Sequence, residues 1–370
     1  MATPSNPQDI LASLIDAAKK AGADAADALH VQGVASSVSY RLGKLEDVER
    51  AENSDLGLRV FVGQRVAFVS SSDFSAEALA ALPGRAVAMA RLAPEDKFAA
   101  LAPKDRLARD IPALDLEDPA EPSAERLIEL AREVEGAALA VPGVTNSEGG
   151  GASFSRHAVA LATSTGFYGR YAGTSHSIGV AVLAGEGTGM ERDYDQASAR
   201  HADDLRAAAD IGRKAGEKAV ARLNPRKVKS QAVPVVLHPD EAAGLLGHFS
   251  GAISGAAIAR GVSFLKDRMG EKVFAPGIRI VDAPHRVRGL RSKPFDGEGV
   301  ANRRMALIED GVLTSWLLDC ASARQLGLET TGHAARGTGG PPMPATTNLY
   351  LEPGTLSPAK LIADIDRGFY

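Results

Sequence analysis

The sequence contains one cysteine, Cys320, among 370 residues. A single cysteine cannot form an intramolecular disulfide and cannot supply a thiolate-rich metal site. Aromatic residues make up only 5% of the chain, so the core must be built mainly from Ala, Val, Leu and Ile. Because no sequence signature provides a base for Cys320, we expect a small buried residue rather than a nucleophile. The near-absence of cysteine also fits a reducing compartment.

Long apolar runs are lacking as well. No stretch of about 18 apolar residues occurs, which excludes an ordinary membrane-spanning helix. Residues 1–20 contain no basic leader followed by an apolar run, so no secretory signal is predicted. The formal net charge is −4, and no global positive field attracts nucleic acid or an anionic membrane. We therefore expect a cytoplasmic protein that binds neither nucleic acid nor membrane.

The periodicity of the remaining sequence predicts an α+β protein. Apolar residues at helical spacing predict helices over residues 8–21, 75–92, 123–138 and 202–222. Alternating patterns and turn residues predict antiparallel strands in residues 56–71, with a hairpin turn at Gly63-Gln64, and in 144–155, 157–174 and 175–187. Beyond these segments, 233–237 is predicted as a buried strand and 239–261 as one helix.

Composition shifts divide the chain into three predicted domains. Residues 1–110 form an N-terminal α+β portion, and residues 120–224 form a second α+β portion. An ordered but irregular linker over 102–124 is expected between them. Residues 230–370 form a β-rich C-terminal domain. We expect this domain to be incomplete, because its last predicted helix is still apolar where the sequence stops at Tyr370.

The predicted helix at 239–261 carries an unusual stripe of small residues. Gly244, Gly247, Gly251 and Gly255 recur at spacings that place them on one face. Each glycine lowers helix stability by about 1 kcal/mol relative to Ala, so four of them require a compensating gain. Tight packing inside the domain, a peptide groove and a subunit interface are the three interpretations.

The same helix carries His248, near His238, Asp240 and Glu241. Two His and a Glu on one helix can hold zinc and activate water, but no H-E-x-x-H occurs in the sequence. The two acids fall in the first predicted helical turn, where the helix dipole favours them. We therefore expect no metal site here and interpret His248 as packed or hydrogen-bonded.

Two loops hold further candidate residues. Asp296 and Glu298 lie two residues apart in FDGEGV, where they could act as acid and base; a tight, exposed structural turn is the preferred interpretation. The loop RGTGGPPMP contains Gly339 and Gly340. It lacks G-K-[ST] and a following helix, so a peptide-contacting or interface loop is favoured over a phosphate loop.

Five stretches between Glu241 and Gly354 resemble the TldE/PmbA branch of the TldD/PmbA metallopeptidase family. They are AAGLLGHFSGAISG, PFDGEGV, LIEDGVLTSWLLD, SARQLGLETTGHAARGTGGPPMP and TTNLYLEPG. The N-terminal segments GLRVFVGQRVAFVSSSD and NSEGGGASFSRHAVALATSTGF are similar to the family less distinctively. The resemblance implies a bacterial protein, of a family labelled modulator of DNA gyrase, that pairs with a TldD-like subunit or with itself.

The resemblance also implies where this branch differs from TldD. The TldD branch carries H-E-x-x-x-H, and alignment on the shared Gly-His puts Ala243 at the first His and Gly244 at the Glu. Only His248 matches. No catalytic residue, metal ligand or cofactor is therefore expected in this chain, and zinc is expected in the TldD partner.

These observations predict a partner subunit of a TldD/TldE-type zinc metallopeptidase that cleaves unfolded or modified peptides. The residues predicted to contact an extended peptide or the other subunit are Gly247, Gly251, Gly255, Gly339 and Gly340. One alternative is a peptidase in its own right that uses Asp296, Glu298 and His248. Another is a regulatory protein that acts on gyrase or an antitoxin system.

Overall fold

The structure is a computed structural model that describes residues 6–370. Residues 1–5, at the start of the segment for which no secretory signal is predicted, lie outside the described residues. The first helix, α1 (Pro7–Lys20), begins where the Asn6 side chain accepts a hydrogen bond from the Gln8 N–H. None of the helices within residues 6–370 is long and apolar enough to cross a membrane.

One six-stranded antiparallel sheet dominates the first part of the chain. Its strands are β1 (Ala25–Arg41), β2 (Lys44–Val62), β3 (Arg65–Ser71), β4 (Val144–Thr163), β5 (Tyr168–Ala184) and β6 (Glu191–Ala199). Their spatial order is β3-β2-β1-β4-β5-β6. The pairing of β1 with β4 joins strands from both predicted N-terminal portions into one sheet. The division into three domains stays a prediction.

Four helices cover one face of this sheet. They are α1, α2 (Ala76–Leu92), α3 (Ala124–Leu139) and α4 (Ala208–Ala221). Ala26, Ala28 and Val38 alternate along β1 and so point to the same face. The first two pack with α1 and α2, and Val38 packs with α3 and α4. The two helix pairs therefore lie on the same side of the sheet, towards opposite ends of its long strands.

The C-terminal region packs against the other face. Leu29 and Leu161 point away from the helices and form a small apolar cluster with Phe167 and Phe295. The ring of Phe295 meets Phe167 edge-on, with 5.2 Å between ring centroids. This contact fixes the start of the FDGEGV turn against the N-terminal sheet.

Residues 230–370 contain short elements joined by long irregular segments. The helices are α5 (Pro239–Ala252), α6 (Gly255–Ala259), α7 (Cys320–Leu326) and α8 (Pro358–Ala363). The strands are β7 (Ile280–Asp282), β8 (Met305–Glu309), β9 (Val312–Leu313), β10 (Ala334–Ala335), β11 (Met343–Pro344) and β12 (Leu349–Leu351). They form the sheets β12-β7-β8-β9 and β10-β11, and Ile253, Ile280 and Leu307 lie in the core beside them.

Most predicted helices and the hairpin are confirmed. α1, α2 and α3 match their predicted spans, and Ser123 caps α3 by accepting a hydrogen bond from Arg126 N. The hairpin turn is confirmed with Gly63 at φ 58°. The predicted helix at 202–222 is too long, since α4 begins only at Ala208. The residues before α4 make a tertiary contact instead: Ala202 N donates a hydrogen bond to the Asp118 carboxylate.

Two predictions in the C-terminal region are wrong. The segment 233–237 is not a buried strand: Val235 makes only an isolated bridge with Phe369 and is 59% exposed. The predicted helix at 239–261 breaks into α5 and α6. The break occurs because Leu317 donates to the Ile253 carbonyl and accepts from Gly255 N, so backbone groups that would continue the helix are bonded elsewhere.

Candidate functional site

Helix α5 presents most of its surface to solvent. It starts with Pro239 at the first helical position, and the His238 side chain accepts a hydrogen bond from Asp240 N. Phe249 is its one buried residue. A helix that buries so few side chains against its own chain gains little stability from packing. The glycine-rich sequence of α5 therefore needs another explanation.

The glycines of α5 face open space. A Cβ atom added at Gly244, Gly247 or Gly251 would meet no atom from another part of the described chain within 4 Å. Gly255 differs because it belongs to α6 and is buried: its added Cβ would lie 2.6 Å from Leu318 Cδ2 and 2.8 Å from the Leu317 carbonyl oxygen. Tight packing inside the domain therefore explains Gly255 alone. The prediction that all four glycines share one helix face is wrong.

The residues at the aligned motif positions do not fit a zinc ion. Ala243 and Gly244 are exposed and carry no ligand atom. His248 is also exposed, and its side chain makes neither a hydrogen bond nor an ion pair with any residue from 6 to 370, so its interpretation as a packed or hydrogen-bonded residue is wrong. The described part of the chain contains no group of three or more His, Cys, Asp or Glu that could hold a metal ion.

The FDGEGV turn is buried rather than exposed, which corrects its preferred interpretation. Asp296 and Glu298 are 1% and 3% exposed. Asp296 accepts hydrogen bonds from the N–H groups of Glu298, Val300 and Ala334, at 2.8–3.0 Å. The Glu298 carboxylate accepts one from Cys320 N at 2.8 Å. With their oxygens bonded to the backbone, both side chains have a structural role.

A buried charge network joins this turn to the sheet. Arg59 donates from Nε to Asp27 at 2.8 Å, and its Nη1 lies 3.6 Å from the Glu298 carboxylate. Arg336 donates to the other Asp27 oxygen at 2.7 Å. Asp27 and Arg59 are on the sheet, whereas Arg336 and Glu298 belong to the C-terminal region. Sequence reasoning singled out Glu298 but missed the network, because Asp27, Arg59 and Arg336 share no local motif with it.

The network shifts two carboxylate pKa values in opposite directions. Burial tends to raise the pKa of Asp27, but the guanidinium groups of Arg336 and Arg59 outweigh it and hold that pKa below its ordinary value. Burial, with the neighbouring Glu298 carboxylate, raises the pKa of Asp296 to about 7 in spite of three N–H donors.

Cys320 is buried, as predicted from the sequence. Burial, reinforced by Glu298, raises the pKa of its thiol far above the ordinary range. Since the thiolate is the reactive form, burial and the raised pKa both disfavour a nucleophilic role for Cys320.

The Gly/Pro loop lies against the chain's own N-terminal sheet. A Cβ atom added at Gly57 of β2 would lie 2.8 Å from Thr338 Cα, and one at Gly339 would lie 3.7 Å from Ser70 Oγ. Gly340 has open space around it. The structure thus brings Gly339 and Gly340 next to β2 and β3, while Gly247 and Gly251 lie on α5. Their predicted contact with peptide or partner stays a prediction.

The fold agrees with the family that the sequence resembles. Residues 26–90, 117–223 and 230–370 match domain 1, the central domain and the C-terminal domain of the PmbA/TldA metallopeptidases. The chain belongs to the PmbA/TldD metallopeptidase family.

Two curated relatives are similar over most of this chain. It is 41% identical over 301 residues to the metalloprotease PmbA of Escherichia coli O157:H7, covering 80% of this chain and 66% of that protein. It is 36% identical over 324 residues to a PmbA homolog of Haemophilus influenzae, covering 86% and 71%. The aligned part of the chain thus spans about two thirds of the length of these relatives.

Solved structures share the fold. A candidate modulator of DNA gyrase from Bacteroides thetaiotaomicron superposes with a TM-score of 0.90 at 25% identity, over 100% of this chain and 82% of that one. TldE from Thermococcus kodakarensis superposes with a TM-score of 0.81 at 21% identity, over 97% and 81%. The second likeness concerns the fold alone.

Proposed function

We propose that this chain is a partner subunit, without catalytic residues of its own, of a zinc metallopeptidase complex of the TldD/TldE type. The zinc ion and the residues that cleave the peptide would belong to a TldD-like subunit. This chain would stabilise that subunit and help enclose an extended, unfolded or modified peptide. The complex would operate in the cytoplasm, and a homodimer would form where no TldD-like subunit is present.

The open glycine face of α5 carries this proposal. Three glycines lower the stability of the helix by about 1 kcal/mol each, and no atom of residues 6–370 packs closely where their side chains would be. Close approach by another backbone is the usual compensation for such glycines. Within residues 6–370 no segment supplies that backbone, and we propose that the second subunit supplies it.

Exposed apolar side chains near the end of α5 support a protein interface. Ser263 Oγ donates to the Ala252 carbonyl and so fixes the following segment beside the end of α5. Its neighbours Val262 and Phe264 are 71% and 81% exposed, and Leu245 of α5 is 58% exposed. Apolar side chains at this exposure favour burial against another protein surface.

The position of α5 in the family supports a heterologous partner. In the TldD branch the equivalent helix carries the zinc motif, whereas here Ala243 and Gly244 occupy the first two motif positions. The peptidase alternative based on Asp296, Glu298 and His248 gains no support, because both carboxylates are buried and bonded to backbone amides.

The test compares this chain alone with its mixture with the TldD-type subunit from the same genome. Bound zinc is measured by mass spectrometry and cleavage is measured with an unfolded fluorescent casein. We expect neither zinc nor cleavage from this chain alone, and both from the mixture at a rate above that of the TldD-type subunit alone. Stoichiometric zinc or cleavage by the purified chain would contradict the proposal.

A further inference from the structure

Strand β2 has a long outer edge that pairs with no other strand. On its inner side, β2 pairs with β1 from Lys44 to Phe61. On its outer side, β3 pairs only with the stretch from Leu56 to Val62. The outer edge from Lys44 to Asp55 therefore lacks a neighbour within residues 6–370, and its backbone N–H and C=O groups are free to bond another strand.

No other part of the described chain covers this edge. Residues 41–53 are all exposed, and those from Ser54 onwards become buried as β3 begins to pair. Two apolar side chains of the edge, Leu45 and Val48, are each 47% exposed. An added strand would therefore find both free hydrogen-bonding groups and apolar side chains to pack on.

The negative charge of this strand edge indicates which kind of polypeptide can bind there. Five acidic and two basic residues lie between Lys44 and Asp55. One of the bases, Arg50, is already paired with Glu52 and Glu121. Glu46, Asp47 and Glu49 have no ion pair with any residue from 6 to 370. Pairing with the same edge of a second copy would place two negatively charged strands side by side, which is unfavourable.

We propose that the β2 edge from Lys44 to Asp55 binds an extended, positively charged polypeptide segment by strand addition. The backbone of the segment bonds the free N–H and C=O groups, and its cationic side chains lie next to Glu46, Asp47 and Glu49. This binding surface is separate from the proposed partner surface on α5 and does not depend on it.

The test measures binding of a fluorescein-labelled peptide of about ten residues, in which Lys and Thr alternate, by fluorescence anisotropy with the full chain. Reversal of three charges, Glu46→Lys, Asp47→Lys and Glu49→Lys, is expected to weaken binding about tenfold or more. The matched control reverses three exposed acids that have no ion pairs among the described residues: Asp16→Lys, Glu133→Lys and Glu186→Lys. This control has the same net charge and is expected to bind almost normally.

A second probe separates strand addition from simple charge attraction. The same peptide with an N-methyl group on every residue keeps its charge but has no backbone N–H that could donate to the strand edge from either side. We expect it to lose most of its affinity. Equal binding of the methylated peptide, or equal loss in both triple variants, would overturn the inference. If the chain associates with a TldD-type subunit but does not bind the peptide, this inference is refuted and the proposed function is unaffected.

Discussion

Helices α4 and α5 both carry glycines at helical spacing, and the two helices use them in opposite ways. On α4, a Cβ atom at Gly212 would lie 2.9 Å from Ala138 N, and one at Gly216 would lie 2.8 Å from Val141 Cβ. The backbones of α3 and α4 approach closely because these side chains are missing. On α5, the positions of Gly244 and Gly247 open onto empty space. Glycine spacing alone therefore predicts close approach, but not which chain provides the approaching backbone.

The same contrast separates two sides of the C-terminal region. Its sheet-facing side is closed, with the buried charges of Asp27, Arg59 and Arg336 paired across the junction. Its α5 side leaves glycines and large apolar residues exposed. We expect substitutions on the closed side to lower the stability of the chain, and substitutions on the open side to affect association.

The largest expected loss of stability is on the closed side, at Arg336. The substitution Arg336→Met removes one of the two cations that neutralise the buried Asp27. Breaking such a buried pair typically lowers the free energy of unfolding by about 3–5 kcal/mol. Urea unfolding measures the loss. Arg303→Met is the control: it removes an exposed arginine that has no ion pair with residues 6–370, and it is expected to change stability by less than about 0.5 kcal/mol.

The next effect is a pH dependence set by Asp296. Its pKa is raised to about 7 in the fold, against about 3.9 in an unfolded chain. The folded state therefore holds a proton that the unfolded state releases, so this group's stabilising contribution is complete below about pH 4 and is lost as pH rises to 7. The loss is about 1.4 kcal/mol per pH unit, up to about 4 kcal/mol.

The variant Asp296→Asn isolates this contribution from the other carboxyl groups. Asp27, whose pKa is lowered, acts with the opposite sign, because its contribution is lost as pH falls. We expect the difference in unfolding free energy between the wild type and Asp296→Asn to shrink steadily from pH 4 to pH 7. A difference that is constant over this range would show that Asp296 is ionised throughout.

A smaller loss of stability is expected when a side chain is added at the close contact between α3 and α4. In Gly212→Ala, the added methyl group overlaps Ala137 Cβ and Ala138 N at 2.9 Å. Overpacking of this kind lowers stability by about 1–3 kcal/mol, which thermal and urea unfolding both detect. Gly136→Ala on α3 is the matched control: that position is open, so the helix should become slightly more stable.

The smallest effect has the opposite sign and is expected on α5. Gly247→Ala adds a methyl group into open space, so it should stabilise the isolated chain by about 0.5–1 kcal/mol through helix propensity. Circular dichroism during urea unfolding measures the gain. A loss of stability would mean that the face of α5 is closed in solution and that the contrast with α4 is wrong.

The helices of the N-terminal region could be predicted because their signals are local. Apolar spacing and caps such as Ser123 lie within each element, and they do not depend on distant parts of the chain. The break between α5 and α6 could not be predicted, since it depends on hydrogen bonds with Leu317. The apolar segment 233–237 was misassigned because a buried strand needs neighbouring strands, which periodicity cannot reveal.

The candidate site shows the same limit. The glycine spacing on α5 and the substitutions Ala243 and Gly244 can be read from the sequence, but the openness of that face cannot. The burial of Asp296 and Glu298 leaves no mark in the local sequence, and neither does the charge network beside them, in which Arg336 and its partner Asp27 are 309 residues apart. Long-range contacts of this kind leave no local pattern.

The most direct test of the account measures association with the TldD-type subunit by analytical ultracentrifugation, for the wild type, Gly247→Gln and Gly136→Gln. Both variants add a long side chain at an exposed helix position and should leave the fold as stable as before, or slightly more stable. We expect Gly247→Gln to weaken association at least about tenfold and Gly136→Gln to leave it unchanged. Equal association of all three proteins would contradict the assignment of the α5 face as the subunit interface.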